Sequence, residues 1–429
     1  MNKVAKNASW IIACKVIQAL LALIINMLTA RFLGPSNYGL LTYAASLVAF
    51  VVPIMELGFS NVLVQEIVDD PENEGKYLGT SMLLSVISSL CCIVGVTCFA
   101  YIANSDERIT IIVCALYSLL LIFQALELIR FWFQAKLLSK YTSIVSLITY
   151  VIVSSYKAYL LITQKSVEWF AISNALDYFL ISSSSIIIYY KLGGEKLKFS
   201  REIAIRMFDK SKHYIISSMM VTIFAQTDKI MLKLMLDEEA TGYYGAAVQC
   251  AALTSFVFAA IIDSFRPSIF ESKKVNNESF EKKLSMLYCI IIYLSLLQSV
   301  FMTVFAPLII RILYGVKFFS AIPALRIVVW YTTFSYLGSI RNIWILSFDK
   351  QRYLWVINLS GALSNVVLNV LLIHFWGING AAIASLLTQF FTNVIIGYIL
   401  KPIKDNNKYM ISGLNPKYLV DIYKSSFNR

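Results

Sequence analysis

Histidine is nearly absent and charge is scarce, and each shortage removes a class of function. Only His213 and His374 occur in 429 residues, and neither stands at metal-ligand spacing from a second ligand. There is no Walker A loop, no Gly-x-Ser-x-Gly and no His-Glu-x-x-His. No catalytic residue, metal or cofactor is therefore expected, and the chain does not read as an enzyme. The seven cysteines, Cys14, Cys91, Cys92, Cys98, Cys114, Cys250 and Cys289, form no Cys-x-x-Cys pair and sit inside apolar blocks. They read as small packing residues rather than a disulfide framework. Charged residues make up 14% of the chain, well below the roughly 25% of a soluble domain.

What fills the gap is apolar. The chain is 58% hydrophobic, with mean hydropathy +0.70, and its apolar residues fall into blocks of 20 or more. Blocks of that length cross the roughly 30 Å of bilayer hydrocarbon as helices. The expected spans are approximately 10–33, 39–61, 78–103, 110–133, 142–163, 167–190, 213–236, 240–266, 284–313, 320–348, 352–376 and 377–400. The first is expected as an uncleaved span, since it is long, carries Lys15 and lacks a small-residue cleavage site. The loops on the outer side have at most about eight residues, too few for a catalytic domain there.

The net charge of +12 would suit nucleic acid, but its placement argues for a membrane. Alternate loops and the two termini hold 24 lysines and arginines, counting Arg352 at the edge of a span, and the opposite loops hold 3: Arg108, Lys165 and Lys317. By the positive-inside rule, both termini are cytoplasmic, and no nucleic acid partner is expected. The longest internal loop, 191–212, carries seven basic residues and reads as a linker beside anionic headgroups. A short interfacial helix over Ser200–Phe208, with Ile203, Met207 and Phe208 toward lipid, fits within it.

That linker separates two similar halves. A shift of 203 residues lays Leu33–Gly39 on Leu236–Gly242 and Ala44 on Ala247. Span one carries Lys15, Gln18, Ala22, Asn26 and Thr29 on one helical face, and span seven carries Ser218, Thr222, Gln226, Lys229 and Lys233 on one face. The same shift brings these two polar stripes together. The expected fold is an all-α polytopic membrane protein of about 12 transmembrane helices, in two pseudo-symmetric six-helix lobes around a central cleft. The lobes are 1–190 and 213–400, joined by the basic linker 191–212 and followed by a basic cytoplasmic tail, 401–429.

Charges inside spans are costly and mark protein- or water-facing positions. Arg31, Arg130, Arg266 and Arg311 lie near span ends and read as snorkelling to headgroups. Glu127 and Arg130, three residues apart, suit each other as partners, and Lys157 and Asp177 suit either an ion pair or a transport role. The sharper group is Lys15, Lys229, Lys233, Arg326 and Arg341, a surplus of cations suited to phosphate oxygens. Arg326, Trp330, Thr333, Leu337 and Arg341 share one face of span ten. Gln18, Asn26, Ser218, Thr222 and Gln226 complete the polar stripe, and Glu56 and Asp263 are the candidate ion-coupling carboxylates. Asn358, Gly361, Asn365 and Asn369 of span eleven, and Ser385, Gln389 and Thr392 of span twelve, read as interhelical packing. Pro53 is expected to bend span two.

Particular motifs resemble a known family. The stretch Ala30-Arg31-Phe32-Leu33-Gly34-Pro35-Ser36-Asn37-Tyr38-Gly39, followed by Tyr43, Glu56-Leu57-Gly58-Phe59 and Gln65-Glu66-Ile67, is similar to the opening of bacterial polysaccharide flippases. These are the Wzx-type O-antigen and capsule repeat-unit transporters of the multidrug/oligosaccharidyl-lipid/polysaccharide superfamily. Asp228-Lys229-Ile230-Met231, Gly242-Tyr243-Tyr244-Gly245-Ala246-Ala247 and Gly377-Ile378-Asn379-Gly380-Ala381-Ala382 resemble the second half of those proteins. The resemblance implies alternating access by two lobes in a bacterial cytoplasmic membrane. The cargo it implies is an undecaprenyl-diphosphate-linked oligosaccharide, with a proton or sodium ion as coupling ion. Membrane lipids, a polysaccharide polymerase and a chain-length regulator are the implied partners. A multidrug or other lipid-precursor exporter of the same fold is the alternative, and a non-transport assembly partner of a polysaccharide synthase is another.

Overall fold

The computed structural model describes residues 3–418, with residues 3–13, 15 and 16 described in their backbone alone. Among the described residues there is helix and no strand. Among the described residues, ten helical runs are long and apolar enough to cross a membrane. They are α1 (Lys3–Met55), α2 (Pro71–Ala103), α3 (Arg108–Ala135), α4 (Ser139–Ile162), α5 (Val167–Lys191), α6 (Arg201–Met235), α7 (Glu238–Val275), α8 (Asn277–Leu313), α9 (Val316–Ser347) and α10 (Gln351–Ile399).

Two of these runs account for four of the twelve expected spans. The described part of α1 within its run, Ile17–Met55, has 39 residues and α10 has 49. At about 1.5 Å per residue each is roughly twice a hydrocarbon thickness or more. Each is broken at a glycine with a backbone that L side chains rarely adopt: Gly34 (φ 74, ψ 175) in α1 and Gly377 (φ 53, ψ −129) in α10. At Gly377 the chain reverses. A Cβ at Gly380 would lie 2.0 Å from the carbonyl oxygen of Leu372, and one at Gly361 would lie 2.9 Å from the Thr392 side chain. Spans eleven and twelve are thus the two arms of a helical hairpin, and the split expected at Trp376/Gly377 is where it turns.

The chain divides into two compact units, Met1–Leu234 and Met235–Arg429. In the first unit, α1 packs along α4, α3 and α2, and α5 packs on α3 and α4. One of its cores, built on Phe59, Tyr77, Trp132, Phe133 and Tyr189, closes one end of the bundle. In the second unit, α9 runs between α8 and α10, over a core that includes Tyr288, Ile340 and Trp344.

The sequence places α6 at the head of the second half, but the structure gathers it into the first unit. Residues 191–212 are not a free linker. The Lys198 amide donates to the Gly75 carbonyl at 3.2 Å, the Ser200 amide to Thr80 Oγ1 at 2.9 Å and the Gly75 amide to Glu195 Oε2 at 3.1 Å. From Arg201 onward the chain is the start of α6 itself. Ile203 and Met207, expected toward lipid, are 9% and 0% exposed and pack in the core with Tyr77 and Trp132. Phe208 is the member of that group that stays exposed. The reason is electrostatic as well as apolar. Glu66, 1% exposed, is met by Arg206 at 3.0 Å and by Lys210, one turn apart on α6. A buried carboxylate is costly unless it is paired, and here two cations pair it.

Gly79 makes the docking of 195–200 testable. A Cβ there would lie 2.5 Å from the Lys198 amide nitrogen and 2.6 Å from its carbonyl oxygen. Backbone cannot swing aside as a side-chain tip can, so Gly79→Ala is expected to lift the segment off α2. The cost is about 1–3 kcal/mol, as for other overpacked sites. Limited trypsin digestion checks it: cleavage after Lys196 and Lys198 should accelerate in the variant, and an unchanged rate would show that the helix yields instead.

The start of the expected tail is also packed. A helix over Lys404–Ser412 buries Asn406 and Asn407. The Tyr288 hydroxyl donates to Asn406 Oδ1 at 2.9 Å, and Asn407 donates to the Val394 carbonyl at 3.0 Å. Pro53 is buried within α1.

Candidate functional site

The polar stripe of α6 contains residues in two very different states. Ser218, Thr222, Gln226 and Lys229 are half-buried. Thr222 returns its hydroxyl to the Ser218 carbonyl at 2.9 Å, and Lys229 Nζ donates to Gln226 Oε1 at 3.0 Å. Among the described residues no carboxylate lies within ion-pair distance of Lys229. Lys233, one turn further, is the opposite case. Its side chain is 1% exposed and bonds both carboxylate oxygens of Glu107, at 2.8 and 2.6 Å. Glu107 also accepts from Thr110 Oγ1 at 2.6 Å. Lys233 is therefore a buried ion-pair partner at the head of α3, its ammonium enclosed and engaged by Glu107.

Of the two span-ten cations, Arg341 is enclosed as Lys233 is, and Arg326 is not. The face carrying Arg326, Trp330, Thr333, Leu337 and Arg341 packs within the second unit. Arg326 Nε donates to the Thr303 carbonyl at 3.2 Å, Trp330 Nε1 to Thr303 Oγ1 at 3.1 Å, and Thr333 meets Ser299 at 3.4 Å. All three contacts are to α8. Arg326 stays exposed on the rim of this seam, whereas Arg341 is 5% exposed and donates to the Thr392 carbonyl. Thr392 lies in a single π-helical turn, Phe391–Ile395. Such a turn skips ordinary i to i+4 bonding and leaves carbonyls to be satisfied from outside, which is what the guanidinium does. No periodicity argument finds a π turn, because the side-chain pattern is still helical.

The carboxylates separate as well. Asp263 is largely exposed on α7 and pairs with Arg266 at 3.1 Å on its own helix. Glu56, at the end of α1, is half-buried and stands within electrostatic range of Glu127. Glu127 and Arg130 pair with each other at 3.3 Å. Lys157 turns to Asn174 Oδ1, 3.2 Å away, and among the described residues makes no ion pair with Asp177. Of the span-one stripe, Gln18 and Asn26 are half-buried, and the side chain of Lys15 lies outside the described residues. Asn365 and Asn369 are fully buried, and Ser385 meets the Tyr244 hydroxyl at 3.3 Å, in keeping with packing.

The first unit holds a half-open polar pocket of about 550 Å³, lined by residues of α1, α3, α4 and α5. Gln18 lines it from α1, Glu127 and Arg130 from α3, Ser143 and Ser146 from α4, and Ser185 from α5. The helical spacing of the α4 serines was legible. Their convergence with residues of three other helices was not.

Comparison with known proteins places the chain. The sequence pattern of the family described as "polysaccharide biosynthesis protein" matches residues 4–273. An uncharacterized membrane protein of Methanocaldococcus jannaschii is 24% identical over 427 residues, spanning 91% of this chain and 82% of that one. Among solved structures, the lipid II flippase MurJ in an inward closed conformation superposes with a TM-score of 0.69. It is 14% identical, with 96% of this chain and 92% of that one covered. An inward-facing multidrug resistance MATE family transporter of the MOP superfamily superposes with a TM-score of 0.67 at 15% identity, covering 91% and 96%. At such identities the likeness is one of fold.

Proposed function

Because the chain belongs to the polysaccharide biosynthesis protein family, we propose that it is a flippase for a polyprenyl-diphosphate-linked oligosaccharide. In a bacterial cytoplasmic membrane the carrier is undecaprenyl diphosphate, and the product feeds O-antigen or capsule assembly. The observation that supports this cargo over an uncharged one is Lys229. It is a half-buried cation on the polar face of α6, held by an amide and by no carboxylate among the described residues. A lysine so placed offers its remaining ammonium protons to phosphate oxygens. The similar solved structures, a lipid II flippase and a multidrug transporter, support movement across a membrane rather than catalysis. The test is complementation: the full chain, expressed in a strain lacking its own repeat-unit flippase, should restore surface polysaccharide. Failure to do so with any of several donor strains, at normal membrane abundance, would overturn the reading.

Coupling falls to Glu56 in this proposal, since Asp263 is taken up by Arg266 at an exposed position. Glu56 shares the interior of the first unit with Glu127, itself paired to Arg130. Glu56→Gln is expected to keep downhill flipping in proteoliposomes while losing its acceleration by an imposed proton or sodium gradient. Full gradient dependence in the variant would remove Glu56 from coupling.

A further inference from the structure

The second unit holds a pocket of mixed charge where the first turns of α8 meet the helix Lys404–Ser412. It measures about 750 Å³, within the roughly 300–1,000 Å³ range of small-molecule sites. Glu278, Glu281, Lys282 and Ser285 line it from α8, and their spacing keeps them on one side of that helix. Asp405, Lys408 and Tyr409 face them from the other. Lys408 is taken up by Asp405 at 3.1 Å. Glu281 accepts from the Tyr409 hydroxyl at 3.0 Å, a neutral donor that positions the carboxylate and leaves its charge in place. Lys282 makes neither a hydrogen bond nor an ion pair among the described residues. A positioned anion and an unengaged cation therefore stand side by side on α8.

Ser285 lies deeper. It is 2% exposed and lines the pocket, and its hydroxyl makes no hydrogen bond among the described residues. Its oxygen is not sealed off and keeps surface at the pocket wall. Further along α8, Ser295 returns its hydroxyl to the Ile292 carbonyl at 3.1 Å and Ser299 meets the Val329 carbonyl at 3.3 Å. An unmade bond on a buried hydroxyl is costly, and a ligand in the pocket supplies it. The ligand that suits Glu281, Lys282 and Ser285 together carries an ammonium and an anionic oxygen a few bonds apart.

The pocket stands at the bilayer interface. The charged start of α8 ends at Lys283, and its apolar run begins at Leu284. Beyond the facing helix, the Leu414 carbonyl accepts from the Tyr293 hydroxyl at 2.9 Å, two turns further into α8 than Ser285. Ile411 and Leu414 are 52% and 56% exposed, apolar side chains beside a polar pocket, which is the surroundings of a lipid headgroup with its tails alongside. We propose that this pocket holds the headgroup of a phosphatidylethanolamine from the leaflet at this end of α8, cytoplasmic by the loop charges. The ammonium lies on Glu281 and Ser285, and the phosphate lies on Lys282. Phosphatidylglycerol has no ammonium for the carboxylates, and the quaternary nitrogen of phosphatidylcholine has no proton to donate. Free phosphoethanolamine has the same chemistry without tails.

Native mass spectrometry of the delipidated full chain tests this, with the three dioleoyl lipids competing in pairs at equal concentration. Phosphatidylethanolamine should be retained about three- to tenfold over either competitor, the worth of a charge-assisted hydrogen bond to an exposed group. Glu281→Gln, Lys282→Gln and Ser285→Ala should each cut that preference about two- to fivefold. Glu281→Gln still accepts from Tyr409, so its melting temperature without lipid should match the parent's. Lys424→Gln combined with Arg429→Gln, outside the pocket, should leave the preference unchanged. Equal retention of the three lipids by the parent, or preference for phosphatidylglycerol, overturns the proposal without any variant. A preference that survives all three pocket substitutions, or that falls with the Lys424 and Arg429 changes, places the lipid elsewhere and overturns it too. Phosphoethanolamine displacing the lipid at equal concentration would make the free headgroup the ligand and remove the lipid.

Discussion

Glu107→Ala should destabilise the first unit more than Lys233→Met does, although the two changes remove opposite ends of one ion pair. The asymmetry follows from exposure. Lys233 is 1% exposed in its side chain and Glu107 is 44% exposed. Deleting the carboxylate deprives an enclosed ammonium of the two oxygens at 2.6 and 2.8 Å that hold it. Removing one partner of a buried pair costs about 3–5 kcal/mol, because the remaining charge keeps its desolvation penalty. We expect no more than the lower end, since one side of this pair is open to solvent and Lys233 keeps a further contact. Lys233→Met leaves a carboxylate that water can reach and that Thr110 still bonds, and it fills the vacated space with an apolar chain of similar length. The expected change there is within about 1 kcal/mol. Thermal unfolding of both variants and of the double variant in one detergent measures the difference. Equal losses, or a larger loss for Lys233→Met, would show that the pair is not enclosed as described.

The twelve crossings were legible because they depend on a one-dimensional quantity, apolar length, and because Gly34 and Gly377 mark where two over-long helices must break. The Glu127–Arg130 pair was legible for the same local reason, being three residues apart on one helix. Partners far apart in sequence were not. Lys233 and Glu107 are 126 positions apart, and Glu66 and Lys210 are 144 apart. Nothing in a helical stripe says which neighbour it will meet. The face from Arg326 to Arg341 is one helical face, and it meets α8 and the π turn of α10. A cation within a span must face something polar. The sequence cannot say whether that something is a substrate phosphate, a carboxylate, or a backbone carbonyl released by a π turn. Glu66 and Glu74 lie in an acidic stretch whose one base is Lys76, yet both are buried, and Lys136 meets Glu74 at 2.8 Å. The basic residues around them are thus in part counterions to the fold.

Lys229→Ala should lower flipping of a diphosphate-linked oligosaccharide about tenfold, with stability near that of the parent. A charge-assisted hydrogen bond contributes about 1.5–3 kcal/mol, corresponding to roughly 10- to 150-fold in binding, and partial exposure of this lysine to solvent favours the lower figure. Stability should be spared because Lys229 gives up one bond to Gln226 on a half-buried face, in contrast to Lys233. Lys229→Arg keeps the charge but replaces a compact ammonium by a planar fork, so it should retain part of the activity. Gln226→Leu should fall between them, since it leaves the cation and removes the amide that positions it. Initial rates in proteoliposomes, together with membrane abundance and melting temperature, separate a transport defect from a folding one. The charge-dependent order, parent above Lys229→Arg above Lys229→Ala, is the signature of an anionic cargo. It should flatten when the same proteoliposomes are given a polyprenyl glycolipid without phosphate. Full activity of Lys229→Ala at normal abundance would remove the diphosphate from this face of α6. An equal loss on the phosphate-free lipid would mean that Lys229 shapes the helix rather than holding the cargo's charge.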